Sequence, residues 1–125
     1  MEDKLVLADK VLRSRLFLGT GRWRNTREML AALKASRTDL VTVAIRRLDL
    51  SDPNQKTLLD RIDWSKYNVL PNTAGSKTAE EAIFTAKLGR EVTGSNWVKL
   101  EVIPDPLYLL PDPIGTLNAA KELVR

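Results

Sequence analysis

Lys99 and Glu101 stand two positions apart in the segment Trp97-Val98-Lys99-Leu100-Glu101-Val102-Ile103, whose alternation predicts a buried strand. On a strand that spacing puts both charged side chains on one face, about 6 to 7 Å apart, and turns Val98, Leu100 and Val102 to the other. A lysine so placed is a candidate nucleophile for imine formation with a carbonyl substrate. An ordinary lysine is protonated at neutral pH, so the neutral amine requires desolvation or nearby positive charge. Arg46 would push in that direction. Glu101 would favour the ammonium, yet it could shuttle the protons that carbinolamine formation and dehydration need. The same pattern also fits a partly exposed Lys–Glu pair on an edge strand.

Elimination strengthens the focus on lysine. The sequence has no histidine and no cysteine, which removes disulfides, thiol catalysis, Ser-His and Cys-His arrangements and nearly every transition-metal site. No cofactor is expected.

The elements that must position this pair alternate between strand-like and helix-like stretches. Leu5 to Leu7 and Val11 to Arg13 predict a small hairpin. Leu16-Phe17-Leu18 is a short strand that stops at Gly19-Thr20-Gly21. A helix then starts at Asn25, with Glu28 as capping-box partner and Met29, Leu30 and Leu33 on one face. Leu40 to Ile45 is the second strand, ending at Arg46-Arg47. Asp52 and Pro53 open the next helix, whose stripe is Leu58, Leu59 and Ile62. Val69-Leu70 leads into Pro71-Asn72-Thr73. Thr78 and Glu81 form another capping box, ahead of Ala79, Ala82, Ile83 and Ala86. After the Lys99 strand, Asp112-Pro113 starts a last helix with Ile114, Leu117, Ala120 and Val124 inward.

Four strand–helix units in succession predict a parallel sheet covered by helices. Ligands of such folds bind at the carboxyl ends of the strands. Those ends carry Gly19, Thr20 and Gly21; Arg46 and Arg47; Asn72, Thr73 and Gly75; and Lys99 with Glu101. The glycines permit close approach of backbone to a ligand, and the arginines offer forked donors to phosphate or carboxylate. Taken singly, each also fits an ordinary loop glycine or solvated arginine. In the second strand Val41, Val43 and Ile45 face one way and Thr42, Ala44 and Arg46 the other, so two strands share a polar face.

At 125 residues with 43% apolar content the chain can pack one core, and it has about half the roughly 250 residues of a (β/α)8 barrel. The net charge of +4 comes from 20 basic and 16 acidic side chains, interspersed and without a run of five like charges, so no nucleic-acid partner is expected. Met1 to Lys10 alternates apolar and charged residues, with neither a secretory signal nor a membrane span. A cytoplasmic location is the default expectation.

The segments Gly19-Thr20-Gly21, LVTVAIRR (Leu40 to Arg47), LPNTAGSKTAEEAI (Leu70 to Ile83), NWVKLEVI (Asn96 to Ile103) and LLPDP (Leu109 to Pro113) closely resemble thiazole synthase of thiamine biosynthesis, in the same order along essentially the whole chain. The resemblance implies an α/β fold, the N-terminal half of a (β/α)8 TIM barrel: residues 1–15 a hairpin extension and residues 16–125 four βα units, with the C-terminal half absent. It implies an enzyme that condenses 1-deoxy-D-xylulose 5-phosphate with dehydroglycine and sulfur from a thiocarboxylate. The implied partners are a ubiquitin-like sulfur carrier protein and an enzyme that produces the glycine imine. Lys99 matches the family's imine-forming lysine and Glu101 its nearby acidic residue, expected in proton transfer. Gly19, Thr20, Gly21, Arg46, Asn72 and Thr73 are expected to line the substrate site.

Relatives of this kind continue for another half barrel, which supplies a strand-six aspartate and glycine-rich phosphate loops. The 125-residue chain is therefore expected to be inactive alone. Its first and fourth strands would be open edges with apolar surface beside them, which predicts self-association. The alternative reading is a non-catalytic, self-associating half-barrel module.

Overall fold

A computed structural model of the chain describes residues 4–51 and 57–125. At the N-terminus β1 (Leu5–Leu7) and β2 (Lys10–Leu12) form an antiparallel hairpin in which Leu5 faces Leu12. The hairpin is tied to the main sheet through a buried carboxylate. Asp39 accepts the backbone N–H groups of Arg13 and Ser14 and pairs with the Arg13 guanidinium at 2.6 Å. The Arg13 guanidinium bond, the largest influence, holds the Asp39 carboxyl below its ordinary value, helped by the two backbone donors and opposed by burial.

The central sheet is parallel, with β3 (Leu18–Gly19), β4 (Leu40–Ala44) and β5 (Asn68–Asn72) in that order. Leu18 lies opposite Val41, and Val41 opposite Val69. The parity expected for β4 is present. Val41, Val43 and Ile45 are buried, whereas Thr42 and Ala44 are half-buried and Arg46 is exposed. The buried face packs on helix α1 (Thr26–Ser36), where Met29 and Leu33 join Val41 and Ile62 in one core. Asn25 caps that helix through Glu28 N–H at 2.9 Å, an interaction worth about 1 kcal/mol. The reciprocal arm of the expected capping box is absent, because the Glu28 carboxylate bonds Arg24 instead. Leu30 turns outward.

The helix expected between β4 and β5 is a correction. Asp52 and Pro53 lie outside the described residues. Between the two strands the described residues form a 3-10 turn at Ile45–Arg47, directly after β4, and a second over Leu59–Arg61, where the helix was expected. Local turn chemistry limits the second: the Asp60 carboxylate accepts from Thr57 at one end, and Asp63 accepts both donors of Ser65 just beyond the other. Ile62 still reaches the core.

Helix α2 (Ala79–Thr93) is capped by the Thr78 hydroxyl and stops at Gly94 in the left-handed region. It lies close on the sheet at Gly89, where an added Cβ would sit 3.1 Å from both Ile45 Cγ1 and Pro71 Cβ. Helix α3 (Pro113–Leu123) is capped by Asp112, with Pro113 in the first turn. Its buried face is Gly115 and Ala119, and Ala119 meets Ala82 and Val102 in a second core. The inward face expected for α3 is thus corrected: Ile114, Leu117 and Val124 are exposed, and Ala120 is half-buried. Small residues let α3 approach α2 closely, and the larger apolar row is rotated away from that contact. Among the described residues no helix is long and apolar enough to cross a membrane.

The Lys99 segment is also shorter as a strand than expected. It pairs with β5 through one isolated parallel bridge, Asn72 to Lys99. The next rung toward the N-terminus would need an N–H from residue 71, which is proline. In the other direction the Thr73 carbonyl is taken by Ser76 N–H at 3.0 Å in a turn. Backbone pairing therefore stops on both sides of Lys99.

Candidate functional site

The carboxyl ends of β3, β4, β5 and the Lys99 segment lie side by side, as the sheet order and the bridge require. Polar side chains connect three of them. The Thr20 hydroxyl donates to the Thr42 carbonyl at 3.1 Å, and the Asn72 side-chain amide donates to the Thr42 hydroxyl at 2.9 Å. Asn72 Oδ1 accepts from Ala74 N–H, which holds the chain in its turn after β5. Thr42 is thus the hub between two expected site residues. Its place on the polar face of β4 was readable from parity, but the chemistry of a threonine gave no reason to single it out.

Lys99 is held by Asn72's neighbours: its N–H donates to the Pro71 carbonyl at 2.8 Å, and its carbonyl accepts from Thr73 N–H at 3.3 Å. Its side chain is exposed, which corrects the expectation of a buried amine. The physical reason is the edge: among the described residues nothing pairs with the far side of this segment. Glu101 is half-buried, and Val102 opposite it in parity is fully buried.

Two hydroxyls extend the pairing where the backbone ladder fails. Thr73, fully buried, accepts Glu101 N–H and donates to the Glu101 carbonyl, both at 2.8 Å. At the other end the Ser95 hydroxyl accepts Trp97 N–H at 3.1 Å and donates to the Val69 carbonyl at 3.2 Å. Thr73 was expected as a substrate contact. Among the described residues its hydroxyl is buried and committed to the Glu101 backbone instead of facing open space. Ser95 gave no signal in the sequence, since its partner lies 26 residues away.

Arg46 is placed differently from expectation as well. Its Nη1 donates to the Gly75 carbonyl and lies 3.7 Å from the Glu81 carboxylate. The guanidinium is a strap from the end of β4 to the loop before α2, and its charge is partnered there instead of being left to act on Lys99. Glu81 also accepts Lys77 N–H at 2.9 Å, so one carboxylate serves both the helix start and the strap. Gly19 lies at the end of β3, where its carbonyl accepts from the Trp23 indole at 3.0 Å. Gly21 is exposed beside the Arg47 guanidinium.

The arrangement presents an exposed primary amine on a segment fixed from both ends, a carboxylate two residues on, and a floor of hydrogen-bonded Thr20, Thr42 and Asn72. A concavity of about 670 Å³ lies elsewhere, at the opposite strand ends, lined by residues such as Trp64, Tyr67, Asn68 and Trp97. It does not include Lys99.

The sequence model of the thiazole biosynthesis protein ThiG family matches residues 6–125. Thiazole synthase of Cytophaga hutchinsonii is 52% identical over 125 residues, which is 100% of this chain and 48% of that protein. The bifunctional protein ThiO/ThiG of Nostoc sp. is 51% identical over 131 residues, covering 100% of this chain and 20% of that one. The chain spans about half the length of the thiazole synthases it matches. Among solved structures, the Amycolatopsis orientalis BexX/CysO complex superposes with a TM-score of 0.75 at 24% identity, over 96% of this chain and 49% of that chain. At that identity the likeness speaks for the fold.

Proposed function

The chain belongs to the thiazole biosynthesis protein ThiG family, and from that premise we propose that it is the imine-forming half of a thiazole synthase barrel. In this reading β3, β4, β5 and the Lys99 segment are the first four strands of a (β/α)8 barrel, and the parallel order of the three strands supports it. The observation that carries the functional reading is Lys99 itself, an exposed amine fixed by the backbone flanking Asn72 at the carboxyl ends of the strands.

Glu101 takes a proton from the Lys99 ammonium, and Lys99 Nζ then adds to the ketone carbon of 1-deoxy-D-xylulose 5-phosphate, forming the C–N bond as the carbonyl π pair moves to oxygen. The Glu101 carboxyl protonates that oxygen, the carboxylate so formed takes a proton from the nitrogen and passes it to the hydroxyl, and water leaves to give the protonated imine with Glu101 again a carboxylate. The imine then activates the sugar carbons for sulfur delivered as a thiocarboxylate on a ubiquitin-like carrier, and for dehydroglycine from a separate enzyme. Gly19, Thr20, Gly21 and Asn72 shape the floor on which the sugar lies. Phosphate in such barrels is held by loops after strands seven and eight, so the substrate site is completed by a C-terminal half. The reaction is assigned to the cytoplasm.

A second reading, a self-associating half-barrel module without catalysis, is favoured by the run of exposed apolar residues Leu107, Leu109, Leu110, Ile114, Leu117 and Val124. Thiazole phosphate formation separates the two. With the C-terminal half of the Cytophaga hutchinsonii synthase added, the enzymatic reading expects product; the 125-residue chain alone is expected to give none. Failure of the reconstituted barrel to make product, with both halves folded and associated, would favour the module.

A further inference from the structure

Backbone pairing of the Lys99 segment fails one residue pair on either side of Lys99, at Pro71 and at the Thr73–Ser76 turn. One bridge is a weak specification of register. Because side chains alternate, a slip by one residue turns Lys99 and Glu101 toward α2 and α3 and brings Leu100 to the polar face. Some feature other than the ladder must therefore fix the register.

Thr73 is that feature on the Glu101 side. Its hydroxyl occupies the place that the Thr73 carbonyl would take in a continued parallel ladder, and it serves both Glu101 backbone groups at 2.8 Å. The residue is 0% exposed, so no water substitutes for it without repacking. Ile103 N–H donates to the Ser76 carbonyl at 2.9 Å and continues the same attachment. A valine at position 73 keeps the shape and removes both bonds, leaving Glu101 N–H without its partner.

We propose that Thr73 is a positioning residue which, through the backbone of Glu101, holds the Lys99 amine and the Glu101 carboxylate in register for imine formation. The proposal rests on the imine reading of Lys99 given above. It moves Thr73 from the substrate's surroundings to the support of the reacting groups.

The test compares wild type, Thr73→Val and Thr73→Ser in the barrel reconstituted with the Cytophaga hutchinsonii C-terminal half, using 1-deoxy-D-xylulose 5-phosphate and borohydride. The expected result is an adduct on Lys99 whose formation slows about 100-fold in Thr73→Val, the cost of roughly an ångström of misplacement. The half-saturating sugar concentration should change less than threefold, and Thr73→Ser should recover the rate to within about threefold. Hydrogen exchange at the Glu101 amide, measured in the same variants, should accelerate in Thr73→Val and not in Thr73→Ser. Absence of any Lys99 adduct in wild type would overturn the imine reading and this role with it. A normal wild-type adduct with an equal rate in Thr73→Val would overturn the positioning role alone. If Thr73→Val does not fold, Thr73→Ala takes its place, and an unchanged Glu101 exchange rate there counts against the proposal.

Discussion

Asn72 and Lys99 face each other in a single parallel bridge, and the residues flanking Asn72 hold both backbone groups of Lys99. The side chain of Asn72 meanwhile reaches the other way, to Thr42 on β4. One residue thus ties the neighbouring strand to the position of the amine. Asn72→Ala is expected to remove the side-chain tie and keep the bridge, lowering the rate of Lys99 adduct formation about tenfold in the reconstituted barrel, the equivalent of about 1.4 kcal/mol. An unchanged rate would separate Thr42 and Asn72 from the site.

Lys99→Ala should leave the fold untouched, because the side chain is exposed. Its effect on unfolding by urea is expected to stay within about 0.5 kcal/mol. A loss of several kcal/mol would mean that Lys99 is a structural residue.

The Asp39 carboxylate links the N-terminal hairpin to the start of β4, and its replacement by alanine is expected to cost about 2–4 kcal/mol at pH 7. Arg13 is 78% exposed along its side chain, so Arg13→Ala should cost no more than about 1 kcal/mol. A carboxyl held below its unfolded value contributes stability that is fully present above that value, 3.8, and is lost as pH falls through the folded one. The stability difference between wild type and Asp39→Asn should therefore shrink as pH is lowered below about 4. That difference isolates Asp39 from Asp63, held down to about 2 chiefly by its hydrogen bond from Lys66. A difference independent of pH would show that the carboxylate charge plays no part.

Gly89→Val places side-chain atoms against Ile45 and Pro71, where a bare Cβ already meets both at 3.1 Å. Overpacking there should destabilise the chain by about 1–3 kcal/mol in denaturant unfolding. A neutral result would show that α2 moves off the sheet at little cost.

The features legible in the sequence are those decided by near neighbours. Asn25, Thr78 and Asp112 each cap a helix through a backbone N–H three residues on, and Val41, Val43 and Ile45 declare their face by alternation. What escaped was decided at a distance or by what lies across an edge. The clasp of Thr73 on Glu101 spans 28 residues, and nothing local marks it. Lys99 reads as buried from its apolar neighbours, yet it is exposed, because among the described residues none pairs with the far side of its segment. The last helix reads as burying Ile114 and Leu117, but Gly115 and Ala119 allow the closer approach to α2 and take the inner face. The short turn at Leu59–Arg61 was readable in principle, since Asp60 and Asp63 are both turn-forming residues, but the leucine spacing outweighed them.

The exposed apolar run from Leu107 to Val124 predicts association of the isolated chain. Sedimentation at micromolar concentration should show species heavier than the 14.0 kDa chain, and Leu117→Glu should shift them toward monomer. A stable monomer would mean that this face tolerates water unaided.

The central claim is that Lys99 forms the imine. Borohydride reduction of the reconstituted barrel with 1-deoxy-D-xylulose 5-phosphate, followed by peptide mass mapping, tests it most directly. The account predicts one sugar phosphate attached to the peptide containing Lys99, and no attachment after Lys99→Ala. An adduct that survives that substitution, or its absence in wild type under conditions of product formation, would contradict it.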